Sequence, residues 1–334
     1  MLVVQIQRFK LMKKEILLWI RGIILNFIHN IKNPGEIHWG EYYYHFSFTK
    51  DAPTYYIIRR CDTRTGLFSL VETILGHINY ALANGYVPVV DMKNHPNCYL
   101  EAEKLGLENS WEYYFEQPMG VSLEEAYKGK KVLMCDGSPM DPFPNVEMSF
   151  FNNEDGMLDF WKEFSKQYLR IKPDIMSDIM KEYYTLVNKE DRVLGGLCRG
   201  TDYLRRKPAN HAVQPELSEL FLKSKAVMKK YNCNKILVVT EDSEMASCFK
   251  KEFGEAYFTN HQELLNYDEE LGISEQHSKR ENDYFLRGKE YLAGIVMLAK
   301  CNCFVAGRTS GTVGVELLTD GFEYQYVYDL GVYR

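Results

Sequence analysis

From residue 54 onward, short apolar runs alternate with longer stretches in which apolar positions return every three or four residues. "TYYIIRRC" predicts a strand, "GLFSLVETILGHINYALANG" a helix ending at Gly85, and "YVPVVDM" the next strand, a β-α-β unit. A short aromatic helix is predicted over "ENSWEYYFEQP", a strand running into a turn over "KKVLMCDGSP", and a helical region from Met157 to Val187. The second half repeats the rhythm with strand "RVLGGLCRG", helix "PELSELFLKSKAVMKKYN", strand "KILVVTED", helix "SEMASCFKKEFG" and strand "AYFTN". After a polar stretch from His261 to Asp283 come helix "DYFLRGKEYLAGIVMLAKC", strand "NCFVAG", helix "TVGVELLTDG" and a last strand "YQYVYDLG". Strands alternating with helices predict parallel sheets covered on both faces. The expected fold class is α/β, with two Rossmann-like domains facing each other across a cleft, 34–188 and 189–334.

Residues 1–33 depart from that rhythm. "MKKEILLWIRGIILNFIHNIKN" places Ile16, Leu17, Trp19, Ile20, Ile23, Ile24, Phe27, Ile28 and Ile31 on a wide apolar surface, with Glu15, Gly22, Asn26, His29, Asn30 and Asn33 opposite. Arg21 interrupts the run before the ~18 to 20 uncharged residues a bilayer span needs, and no small-residue cleavage site follows. Arg8, Lys10, Lys13, Lys14, Arg21 and Lys32 against Glu15 make the segment basic, as suits a helix lying on an anionic membrane surface; a helix packed on the protein's own core is the alternative. Met12 is a second candidate start.

Composition narrows the class. The 334 residues exceed one ordinary domain, and 46% hydrophobic with 26% charged residues describes a globular chain. A formal net charge of -6 argues against a nucleic-acid partner, since phosphate-backbone binding asks for a broad basic surface. The eight cysteines, Cys61, Cys98, Cys135, Cys198, Cys233, Cys248, Cys301 and Cys303, are scattered without a C-x-x-C pair, which predicts buried free thiols and a cytoplasmic chain.

Open α/β sheets bind ligands at the carboxyl ends of their strands. Arg199, Thr201 and Asp202 follow the first strand of the second half, and Thr240, Glu241 and Asp242 follow the second. Gly307, Arg308, Thr309, Ser310, Gly311 and Thr312 follow the fourth and open a helix. That last turn suits a phosphate, held by free N–H groups at the helix N-terminus; it also suits an ordinary N-cap. Arg199 strengthens the phosphate reading, because a planar guanidinium beside backbone donors binds diphosphate oxygens in pairs. G-x-G-x-x-G and G-x-x-x-x-G-K-[ST] are both absent, against dinucleotide and P-loop readings.

"CRGTDY", "VVTEDSE" and "YLAGIVMLAKCNCFVAGRTSGT", in that order on those strand ends, resemble the three motif regions of the GDP-fucose-dependent fucosyltransferases of two-domain GT-B architecture. The resemblance covers residues 190 to 320. It implies Arg199 against the donor β-phosphate with Asp202 in the same motif, Glu241 and Asp242 framing the guanosine, and Ser310 with Thr309 and Thr312 under the diphosphate. It also implies metal-free, inverting transfer. The sequence departs from the family where a histidine gives way to Leu197, a second arginine to Gly200, and an acidic residue to Gly294, with Glu290 one turn earlier as a stand-in.

The expected activity is therefore transfer of fucose from GDP-fucose to a glycan hydroxyl in bacterial-type surface polysaccharide synthesis, with no metal cofactor. Leaving-group charge would fall to Arg199, Arg308 and the amides of 309–312. His211, Asp202 and Glu241 are candidate bases, with a structural role, such as bonding a backbone carbonyl in the 208–215 loop, the alternative for His211. Arg205, Arg206 and Lys207 form either a solvated loop or a contact for an anionic, lipid-linked acceptor, and Trp111, Tyr113, Tyr114 and Phe115 are either sugar-stacking faces or core. Another nucleotide sugar, or a silent nucleotide- or carbohydrate-binding relative, are the alternatives.

Overall fold

The computed structural model describes residues 13–25, 40–60, 63–135, 137–199, 201–266 and 276–334, with the side chains of Thr201 and Asp202 left aside. Expectations resting on residues 1–12 and 26–33, on Cys61 and on Gly200 lie outside the described residues. By its contacts the chain divides into two units, one holding most of the sequence to Phe143, the other holding Thr63–Glu72, Tyr113–Phe115 and Pro144–Arg334.

The first unit carries a four-stranded sheet of β1 (Tyr42–His45), β2 (Thr54–Arg59), β3 (Val87–Asp91) and β4 (Lys131–Met134), in the order β1-β4-β2-β3. β2 pairs in parallel with β3 and β4, whereas β1 runs antiparallel to β4, so this sheet is mixed where an all-parallel one is predicted. Helix α2 (Leu67–Ala83) joins this unit from Thr73 onward and supplies Ile74, Leu75, Ile78 and Ala81 to its interior, all fully buried, while its first turns belong to the second unit. Ile57, Val89, Val132 and Met134 pack with Leu123 and Ala126 of α3 (Leu123–Tyr127), whose Ser122 cap accepts the Glu125 N–H.

A helix, α1 (13–25), lies on this unit. The Trp19 ring stacks 5.7 Å from Phe46, Lys14 reaches Glu41 at 3.8 Å, and Leu25 packs on the cluster around Ile57. Leu17, Ile20, Ile23 and Ile24 stay exposed at 57, 44, 53 and 52%, with Lys13, Lys14 and Arg21 also exposed. One face of the helix thus meets the protein and a second apolar face meets solvent.

The second unit holds α4 (Met148–Phe151), α5 (Met157–Tyr168) and α6 (Pro173–Leu186), then β5 (Val193–Leu197), α7 (Thr201–Arg206), α8 (Leu217–Tyr231), β6 (Lys235–Val239) and α9 (Ser243–Phe253). It continues with β7 (Tyr257–Phe258), α10 (Asp283–Leu298), β8 (Cys303–Gly307), α11 (Ser310–Leu318) and β9 (Tyr324–Tyr328). All five strands are parallel, in the order β7-β6-β5-β8-β9. The chain steps outward from β5 to β7, then returns to the other side of β5, so the strand order reverses between β5 and β8. In such sheets that reversal opens a ligand crevice.

Residues 144–188, expected with the N-terminal domain, cluster with the second unit because α5 packs on α11 and α6 on α10. The helix predicted from Met157 to Val187 is two, broken at Leu169 (φ -105°, ψ 75°), with Pro173 at the start of the second, where its missing N–H costs nothing. The aromatic segment over Glu108–Pro118 forms one 3-10 turn, Ser110–Tyr113. Trp111, Tyr114 and Phe115 are core, at 1% exposed or less, and offer no stacking face to a sugar. The basic stretch read as a loop contains α7, whose last turn carries Arg205 and Arg206, a favourable place for cations at a helix C-terminus. All seven described cysteines are free thiols.

Candidate functional site

β5, β6 and β8 are adjacent, and their carboxyl ends deliver the three predicted clusters to one edge. Leu197 pairs with Val239 on one side and Ala306 on the other, so Arg199, Glu241 and Arg308 all stand two residues beyond paired positions. The Arg199 Nη1 lies 3.9 Å from Glu241 Oε2, each side chain about a quarter exposed. Its guanidinium sits 4.5 Å over the Tyr203 ring, and the Tyr203 hydroxyl bonds His211 Nδ1 at 2.9 Å. Arg199 and His211 are thus linked through Tyr203, a residue the sequence reading passed over because nothing in "CRGTDY" marks its ring as a support.

The turn after β8 has the geometry of a capped helix start. Thr309 caps α11, its Oγ1 accepting the Thr312 N–H at 3.1 Å, while Thr312 Oγ1 donates to the Gly307 carbonyl at 2.6 Å. Both hydroxyls are therefore spent on shaping the turn. The N–H groups of Ser310 and Gly311, at the first two helical positions, have no carbonyl within the helix to bond. A Cβ at Gly311 would stand 3.0 Å from Leu197 Cδ2 and closer still to the Tyr291 hydroxyl, so glycine lets the turn settle against β5 and α10.

Glu72, in the first turns of α2, is a site residue that sequence reasoning missed. Its Oε2 accepts the Ser310 Oγ–H at 3.1 Å, its Oε1 is buried without a hydrogen-bond partner, and the residue is 5% exposed. Burial pushes its carboxyl up to about 8, with the Ser310 bond opposing. The available signal was a lone carboxylate inside the apolar run "LFSLVETILG". Tyr291 of α10 joins the two halves of the site. Burial raises its phenol pKa, the fields of Glu241, Glu72 and Tyr203 add to the rise, and that of Arg199 opposes it.

Other expected residues are committed elsewhere. Asp242 is fully buried and caps α9, its Oδ1 accepting the N–H groups of Glu244 (2.9 Å) and Met245 (3.0 Å). Arg308 donates from Nη2 to the Gly331 carbonyl at 2.8 Å, with Nη1 3.4 Å from Asp329 Oδ1. Residues 331–333 in turn pair with the His211 segment, through Val213 N to Gly331 O (3.0 Å), Asn210 N to Tyr333 O (2.9 Å) and Tyr333 N to His211 O (2.9 Å). Glu290 forms two parallel bonds with Arg280, at 2.5 and 2.9 Å, inside a cleft beside Glu241 that Gln262, Asp283 and Tyr291 also line. Gly294 is a packing glycine: a Cβ there would lie 2.7 Å from Val239 Cγ1, so α10 has no room for an acid at that position. Thr201 and Asp202 open α7, and Arg205 reaches Glu244 at 3.0 Å. No cluster of metal-ligating side chains occurs among the described residues.

The edge therefore offers two N–H groups that find no acceptor within their own helix, an arginine just beyond the adjacent strand, and a buried carboxyl on the Ser310 hydroxyl, an arrangement able to hold an oxyanion. No protein-family model matches the chain, and no curated protein matches it. Among solved structures the chain is similar to the NodZ α-1,6-fucosyltransferase soaked with GDP-fucose (16% identity, TM-score 0.47, covering 80% of this chain and 93% of that one). It is similar also to POFUT1 in complex with GDP-fucose (9%, 0.46, 84% and 99%) and to a variant of Arabidopsis thaliana FUT1 in complex with GDP (10%, 0.46, 86% and 72%). At that degree of likeness the functional reading stands on the chain's own residues.

Proposed function

We propose that the chain is a glycosyltransferase of fucosyltransferase type, which binds a nucleoside diphosphate sugar, GDP-fucose by the motif resemblance, between the ends of β5 and β8 and transfers the sugar to a glycan hydroxyl. The observation that carries this reading is the placement of Arg199 and the Ser310–Gly311 amides on either side of the point where the strand order reverses. As the bond from C1 to the β-phosphate oxygen breaks, negative charge grows on that oxygen, and fixed donors aimed there lower the barrier without reorganising. Arg199 and the amides are assigned that charge, which makes the reaction metal-independent. Glu241 takes the guanosine side, beside the cleft it shares with Gln262 and Tyr291. His211, oriented by the Tyr203 hydroxyl, is the candidate base for the acceptor proton, in an inverting displacement.

The acceptor is assigned to surface polysaccharide synthesis, at the inner face of a plasma membrane. Support comes from α1: its exposed Leu17, Ile20, Ile23 and Ile24, with Lys13, Lys14 and Arg21, suit a peripheral contact with anionic lipid. No described helix is long and apolar enough to cross a membrane. The deciding experiment compares thermal stabilisation by GDP, guanosine and GDP-fucose, and measures GDP release from GDP-fucose before and after chelation. Stabilisation by GDP beyond guanosine, with chelator-insensitive release, supports the enzyme. Stabilisation without turnover indicates a silent binder, and no difference between GDP and guanosine removes the diphosphate site.

A further inference from the structure

We propose that Glu72 is part of the diphosphate site and serves it as a neutral carboxylic acid, its Oε1–H donating to an oxygen of the phosphate held at the Ser310 turn. The inference rests on the diphosphate reading above and goes beyond it, since neither the motif nor its resemblance touches α2.

The geometry is specific. Phe68, one turn before Glu72, packs 6.2 Å from the Tyr291 ring, and Gly314 of α11 leaves room for the same Phe68 ring, so α2 begins against both α10 and α11. That seating brings Glu72 to the first residue of α11, where Ser310 occupies one carboxyl oxygen. The other, Oε1, is buried with no partner. An orphaned polar atom in a buried site costs ~1–3 kcal/mol, which a phosphate oxygen bonded to Oε1 would recover. As a carboxylate, Glu72 would repel a diphosphate across one serine. As an acid it has one donor, on the oxygen that lacks a partner.

The surroundings keep the proton on. From α11, Ser310 is the side chain that opposes the effect of burial. From α10, Tyr291 faces the site with its own ionisation suppressed, and Arg199 is paired with Glu241 on the Tyr203 side. On α2 itself, His77 is committed to Tyr56 and the Ser138 carbonyl. With the carboxyl raised to about 8, Glu72 is neutral at neutral pH and ionises above it. Glu72 also stands on the leaving-group side: a base for the acceptor must approach from the opposite face of the sugar, whereas Glu72 touches the turn beneath the diphosphate. No proton leaves it during transfer. It shares its hydrogen with the phosphate oxygen while the acceptor's proton passes to a base elsewhere.

Calorimetry of GDP binding between pH 7 and 9, in buffers of different ionisation enthalpy, tests this, with guanosine as the control for titration of the base. The wild type should take up close to one proton on binding GDP near pH 9, and its affinity should fall up to about ten-fold per pH unit above 8. Glu72→Gln, which keeps a neutral donor, should hold its neutral-pH affinity within about three-fold and lose both effects; Glu72→Ala should bind at least ten-fold more weakly at pH 7. Wild-type GDP binding with no proton uptake and a flat profile overturns the role of Glu72, whatever the variants do. Failure of GDP to bind better than guanosine at any pH overturns the diphosphate site itself.

Discussion

Arg199→Ala separates a catalytic arginine from one that ties strand ends together. The pair with Glu241 is 3.9 Å long, with side chains 25% and 26% exposed, so it contributes under ~1 kcal/mol to stability. The guanidinium over Tyr203 adds about 0.5–1 kcal/mol. Losing both should lower Tm by a few degrees, at roughly 2–4 °C per kcal/mol for a chain of this class. Against a leaving diphosphate the same guanidinium makes charge-assisted bonds that strengthen as the C1–O bond breaks, and its loss should cost about 10² to 10³ in kcat/KM, roughly 3–4 kcal/mol of barrier. Arg199→Lys should recover part of that, since a point charge cannot reproduce the planar fork. The assay is GDP release from GDP-fucose by both variants, with Tm measured on the same samples. Near-normal turnover in a folded Arg199→Ala protein, or a loss of activity that tracks a collapse in Tm, would refute the catalytic assignment.

Asp242→Ala should destabilise by ~1 kcal/mol through the lost cap on α9, seen as a lower Tm with guanosine affinity unchanged. Gly294→Ala should cost ~1–3 kcal/mol in chemical unfolding, because its methyl meets Val239 with no space to retreat. Glu316 is 1% exposed and burial pushes its carboxyl up to about 7 from an ordinary value near 4.5. The folded state holds that proton where the unfolded chain has lost it, so this contribution to stability falls as pH rises from about 4.5 through 7. Glu316→Gln should therefore stabilise at pH 8, by on the order of 3 kcal/mol, and flatten that part of the Tm profile. Ile20→Glu with Ile24→Glu should abolish flotation with vesicles containing anionic lipid and leave Tm within a few degrees; unchanged flotation rules out the α1 face as the contact.

The alternating elements of the second sheet were readable because each buried strand is a short apolar run and each helix carries its own stripe, local properties that need no partner to be recognised. β1 was not, since "YYYH" becomes a strand through antiparallel pairing with β4, some ninety positions away. The residues at the carboxyl edge were readable as a set, because parallel topology fixes where strand ends go. Their division of labour was not. Asp242 and Glu241 are neighbours in sequence, yet one is turned inward to cap a helix and the other faces Arg199. Arg308 and Arg199 look equivalent as strand-end arginines, and their different partners depend on residues 329–331. Glu72 was invisible as a site residue because its meaning comes from Ser310, 238 positions later.

The pairing of residues 331–333 with the segment around His211 has a practical consequence for handling the protein. The strand-like bridge between Ala212 and Val332, the bonds through Tyr333 and the hold of Gly331 on Arg308 make residues 331–333 a brace for the loop that presents His211. Cleavage of the chain between Leu330 and Tyr333 would act directly on that loop, because the last strand of the sheet ends earlier, at Tyr328. A preparation can thus pass every check of foldedness and still have lost the alignment of its candidate base, so an intact-mass measurement belongs beside each activity assay.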